Sequence, residues 1–133
     1  MSNIISVLKK LPGMEYLSPA NEQDIKNAEA NLNLKFADEY KEYLSSFGFV
    51  FSDIIAVSGI CDDEDYEVVA LTNKLRLINR HIPLDFYAIE DVGVDGLVIW
   101  QNQTGAIYQS VPHLEPVLIF NNLSDFLQHQ IED

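Results

Sequence analysis

Downstream of Pro83 the apolar residues come in runs of only three or four: Phe86 to Ile89, Leu97 to Trp100, Ala106 to Tyr108 and Val117 to Phe120. The gaps Gly93-Val94-Asp95-Gly96 and Gln101-Asn102-Gln103-Thr104-Gly105 are rich in turn formers, and Pro112 and Pro116 punctuate the last one. Runs this short, separated in this way, predict a β-meander joined by hairpins. Gly93 and Gly96 tolerate positive φ, and Asp95-Gly96 makes a tight connection, so Gly93, Asp95 and Gly96 are expected to form a structural turn.

Upstream the apolar period becomes helical. Ile4, Val7 and Leu8 share one face of a short helix over about Asn3 to Lys10, which Pro12-Gly13 ends. Asn21 can cap a second helix, with Glu22 and Asp24 at the positive end of its dipole and Ile25, Ala28 and Leu32 as its buried stripe. Asn33 stands where a left-handed residue closes a helix, and Leu34 and Phe36 can pack back on it. Tyr40, Tyr43, Leu44 and Phe47 give a third helix from Asp38, stopped by Gly48. Two short strands fit Phe49 to Ile60, and Val68, Leu71, Leu75 and Ile78 predict a middle helix towards Arg80. Asn121 or Asn122 caps a last helix with Leu123, Phe126, Leu127 and Ile131 on its face. Helices, short strands, a helix, a meander and a closing helix make an α+β order.

At 133 residues and 47% hydrophobic composition, the chain fits one domain over 1–133 with a proper core. Its eight Lys and Arg against 21 Asp and Glu leave a net charge of -13. Free nucleic acid is therefore a poor partner, because phosphates are bound by clustered cations. A basic protein is better matched, since opposite fields speed encounter. The acid is densest at Asp62-Asp63-Glu64-Asp65-Tyr66-Glu67, a segment too charged for a core strand and suited to an exposed loop or a helix's first turn. Apolar runs fall short of the ~20 residues of a membrane helix. At the N-terminus Lys9 and Lys10 follow the apolar residues, the wrong order for a secretory signal. Cys61 is the single cysteine, which excludes an internal disulfide and makes a cytoplasmic setting the default.

The run Ile25 to Leu44, IKNAEANLNLKFADEYKEYL, resembles the opening of the SMI1/KNR4 (SUKH) family, in which a helix leads through a short link into a "D/E-x-Y-K-x-F/Y-L" helix. Asn33 stands where that family often has Gly, and Phe36-Ala37 where it usually has Leu-Pro. Phe86 to Glu90 with Gly93 to Ile99 resembles the family's strand, turn and strand. Gly105-Ala106-Ile107-Tyr108 is similar to its "G-x-V/I-Y" strand, and Phe120 to Leu127 to its closing helix. The resemblance covers about residues 20 to 131. It implies a curved, mainly antiparallel sheet packed by N-terminal, middle and C-terminal helices, with no catalytic chemistry and no cofactor. In bacteria it implies an immunity protein that binds and neutralises a cognate toxin, often a basic nuclease or deaminase. In fungi it implies a regulatory interaction protein.

Enzymatic alternatives find little local support. His81, His113 and His129 lie in separate segments without an HExxH or C-x-x-C pattern, so no metal site is expected. Glu90, Asp91 and Asp95 flank a turn but lack calcium-loop spacing. Carboxylates beside Cys61 would raise its thiol pKa, the reverse of what a nucleophile needs. Trp100 and Tyr108 are expected in the core before an interface. The expected partner surface is Asp62, Asp63, Glu64, Asp65 and Glu67, engaging a basic protein toxin, with the chain itself a monomer or a homodimer through a strand edge.

Overall fold

A computed structural model describes residues 3–132, and three helices start at side chains, Asn21, Glu67 and Asn122, that accept orphan backbone N–H groups of the first turn. The first helix of the chain, α1 (Ile4–Leu8), buries Ile4, Val7 and Leu8. Before α2 (Glu22–Leu32), the Asn21 side chain accepts the Asp24 N–H at 2.8 Å while the Asp24 carboxylate accepts the Asn21 N–H, a capping box. Asn33 closes α2 with φ 54°, and Leu34 and Phe36 fold back into the core. Next comes α3 (Asp38–Phe47), stopped by Gly48 at φ 70°. Beyond α4 (Val68–Ile78), the chain ends in α5 (Leu123–Glu132), where Asn122 accepts the Asp125 N–H at 2.8 Å.

The architecture is α+β, and its strands divide between two antiparallel sheets. One is three-stranded, built from β1 (Glu15–Tyr16), β2 (Val50–Phe51) and β3 (Ala56–Val57) in that order. The other is a meander of β4 (Tyr87–Asp91), β5 (Val98–Gln101), β6 (Ile107–Ser110) and β7 (Val117–Phe120). Ser58 joins the two: its N–H donates to Ile89 O at 2.8 Å and its Oγ to Ala88 O at 2.5 Å.

The inner strands β4 and β5 of the meander are covered on both faces, while Val117 and Leu118 of β7 are exposed. Tyr87, Ile89, Ile99 and Ile107 enter the main core with α1, α2, α3 and α5. Ala88, Val98 and Trp100 face the other way, packing with Phe86, Ile82 and the α4 residues Leu71 and Leu75. All of β5 is therefore buried, whereas a strand with one face in solvent buries only every second residue. Trp100 lies fully inside, its Nε1–H donating to Ser110 Oγ at 2.8 Å, and Tyr108 leans on Phe86 with ring centres 4.5 Å apart. Ile78 departs from the expected stripe. It is 53% exposed, because the inward-facing residues of α4 end at Leu75 and its last turn projects beyond them. Thr72 takes an inward position instead, its Oγ1 accepting the Ala88 N–H at 2.9 Å.

A buried polar scaffold radiates from α3. Tyr43 Oη donates to Val57 O at 2.6 Å and accepts the Val50 N–H at 3.0 Å, holding β2 and β3. Tyr40 Oη donates to Ser58 O at 2.8 Å, at the junction of the sheets. The Glu39 carboxylate accepts from Gln101 Nε2 at 2.8 Å, from the backbone N–H groups of Leu123 and Ser124, and from Ser124 Oγ at 3.2 Å. It thus occupies the positive end of α5, where an anion is favoured. Removing one side of a buried charged network leaves its donors unpaired. Glu39→Ala should accordingly cost about 3 kcal/mol, whereas Asp38→Ala next to it, on a solvated side chain 3.8 Å from Lys41, should cost no more than about 1 kcal/mol. Urea unfolding of the two variants checks this, and equal losses would contradict it.

Candidate functional site

The acidic segment is an ordered loop whose base is pinned by the backbone. Gly59 N–H donates to Tyr66 O at 3.0 Å and Val68 N–H to Gly59 O at 2.8 Å, closing the chain between them. On its other side Gly59 lies against Gly48, an approach only glycine allows, since a Cβ there would lie 2.0 Å from Gly48 O. Within the loop, Asp63 O accepts the N–H groups of Tyr66 at 3.0 Å and Glu67 at 2.8 Å, and Asp63 Oδ1 accepts the Asp65 N–H at 3.0 Å. These turns point the side chains of Asp62, Asp63, Glu64 and Asp65 into solvent.

The acidic residues are not equivalent. Glu67 is half-buried and accepts the N–H groups of Val69 and Ala70, both at 3.0 Å, so its charge is spent capping α4. Asp65 has a partial counterion in Lys74 at 3.4 Å. Asp62 and Asp63 stand on the rim of a groove of about 510 Å³ that runs across the three-stranded sheet between Leu17, Phe49, Phe51 and Tyr66. Sequence order hides this groove, because its walls come from four separate segments. Cys61 borders it, with a thiol pushed up first by burial and then by Asp63, Glu67 and Asp62, which leaves it a poor nucleophile.

The Gly93 to Gly96 segment lies at the far end of β4. Gly93, Asp95 and Gly96 have φ of 80°, 55° and 71°, and Leu97 N–H donates to Val94 O at 2.9 Å. A Cβ on Gly96 would lie 2.5 Å from Pro112 Cγ. Asp95 does not join Glu90: Glu90 faces a cleft of about 270 Å³ with Asp65, Asp91, Ser52, Ser58 and Tyr66, and Asp95 is not part of its lining. A second polar cleft, of about 420 Å³, opens over Glu39 between Asp38, Asn122 and Asp125, but the Glu39 carboxylate is already consumed by its hydrogen bonds. Among the described residues no group of three or more His, Cys, Asp and Glu is placed to hold a metal ion, and no helix is long and apolar enough to cross a membrane.

The Glu90 carboxyl is driven up from its ordinary 4.5 to about 7, first by burial and then by Asp91. The folded state thus holds this proton more tightly than the unfolded chain does. The associated stability is full below 4.5 and is lost as pH rises through about 7. Glu90→Gln should flatten the stability curve between about pH 4.5 and 7, and raise stability above that range by on the order of 1 kcal/mol. Wild-type and variant curves that stay parallel through this window would contradict the assignment.

A comparison with protein families matches residues 1–132 to SUKH_5, described as SMI1-KNR4 cell-wall. No curated protein matches the chain. The family is generally non-enzymatic, and its members support an immunity or SMI1/KNR4-like protein-interaction role. With a family match that extends over residues 1–132 and an α+β fold of two antiparallel sheets, the chain belongs to the SMI1/KNR4 (SUKH) family.

Proposed function

We propose that the protein is a non-catalytic immunity protein of the cytoplasm that binds a basic cognate toxin and neutralises it by stoichiometric occlusion. The observation that carries this reading is the acidic loop: Asp62, Asp63, Glu64 and Asp65 are exposed, adjacent and fixed by backbone turns. A preformed cluster of this sign steers a cationic surface before contact, and after contact its carboxylates can pair with Lys and Arg in place of the phosphates of a nucleic-acid substrate. The order of the loop matters here, since a backbone already held in position loses little freedom on binding. With -13 overall, the rest of the chain reinforces the same field.

The test is co-expression with the toxin-like product of the adjacent gene, scored by cell survival and by association rate. Wild type should protect, with an on-rate that falls as salt rises. The triple variant Asp62→Lys, Asp63→Lys and Asp65→Lys leaves the Glu67 cap intact, so the fold should stand while association slows by about tenfold or more and protection fails. Full protection by this variant, with association indifferent to salt, would reduce the loop to a solvated surface.

A further inference from the structure

We infer that the groove beside the acidic loop is the anchor pocket of the partner-binding surface, and that it takes an apolar or aromatic side chain flanked by Lys or Arg on the toxin. This rests on the toxin-binding reading and adds the chemistry of what is bound. The groove's apolar walls are presented to solvent: Leu17 is 50% exposed, Phe51 37% and Tyr66 41%. Phe49 forms the floor, its ring 5.7 Å from that of Phe51 and 5.5 Å from that of Tyr66. Side chains of this size are normally inside, and their clustering on one face marks an interaction surface.

The occupant follows from the charge. Asp62 and Asp63 line the groove, and no Lys or Arg does. An apolar pocket with an anionic rim excludes acidic segments and favours an anchor carried between cations, which place their charges on the rim as the anchor enters. The volume, about 510 Å³, accommodates one large side chain with its neighbours. A second apolar surface at the end of α4, around Leu77 and Leu84, is bordered by Arg76 and Arg80 and has the opposite sign, so a cationic anchor segment has reason to choose the first.

The division of labour is testable on the intact chain. The probe is the peptide Lys-Lys-Arg-Trp-Lys-Arg-Lys, compared with the same peptide carrying Ser for Trp, with binding read by NMR chemical shifts. The Trp peptide should move the resonances of Leu17, Phe49, Phe51 and Tyr66 and bind about tenfold more tightly than the Ser peptide. Phe51→Ser, at a partly exposed position, should erase that difference without altering salt dependence, whereas Asp62→Asn with Asp63→Asn should weaken both peptides alike. Equal, salt-dependent binding of the two peptides at the loop would overturn the groove and leave the acidic loop standing. Binding centred on Leu77 and Leu84, or no binding, would also overturn the inference, while the toxin-protection assay decides the broader reading independently.

Discussion

The Glu39 carboxylate ties three elements, α3, β5 and α5, into one buried contact. It lies in the first turn of α3, yet its ligands come from β5 and from the start of α5, so one side chain fixes the first helical layer to the meander and to the C-terminus. A buried charge is tolerable only if its lone pairs are met, and here a side-chain amide, a hydroxyl and two backbone N–H groups meet them. Gln101 extends the link. Its Nε2 also donates to Gly105 O at 2.9 Å, and its Oε1 accepts from Tyr87 Oη at 2.8 Å; Tyr87 Oη in turn accepts the Ala37 N–H at 2.9 Å, at the N-cap of α3. Each group satisfies the next, which gives specificity to a core that apolar packing alone would leave free to slide.

The next turns of α3 orient the three-stranded sheet and the acidic loop. Tyr40 and Tyr43 are fully buried, and burial, the dominant cause, keeps their phenols protonated as donors to Ser58 O and Val57 O. Those carbonyls sit immediately before Gly59, where the acidic loop departs. The position of the loop is therefore set from inside the core, through β3, while Asp62, Asp63, Glu64 and Asp65 remain exposed. Structural and exposed carboxylates differ in what they hold: Glu29, Glu39 and Glu67 accept backbone N–H groups of the scaffold, whereas Asp62 and Asp63 face solvent, Asp63 bonding only within the loop, to the Asp65 N–H.

Local chemistry made most helix limits legible. Asn21, Asn33 and Gly48 act through bonds or φ values confined to a few residues, and each boundary lies where the sequence places it. The meander was legible for the same reason, since its turns are short. Nonlocal structure was not. The strand Glu15–Tyr16 carries no pattern of its own and exists because Val50 and Phe51 pair with it. Helical period extended α4's buried stripe to Ile78, but only the tertiary arrangement decides where the covered part of a helix ends. Charge density exposed the acidic loop to sequence reading, yet the spending of Glu67 on a helix cap and the assembly of Leu17, Phe49, Phe51 and Tyr66 into one groove depend on packing. The same holds for Glu39, which in sequence is one of 21 acidic residues and in the fold is buried.

The central claim is that the loop and the three-stranded sheet together form the surface that covers a toxin. Amide hydrogen exchange on the protein alone and in complex with the toxin it protects against tests this most directly. Exchange should slow at Leu17, Phe49 to Ser52 and Cys61 to Glu67 on complex formation, with Val117 to Phe120 and Leu77 unchanged. Protection confined to β7 or to the end of α4, with the acidic loop exchanging as it does in the free protein, would contradict it.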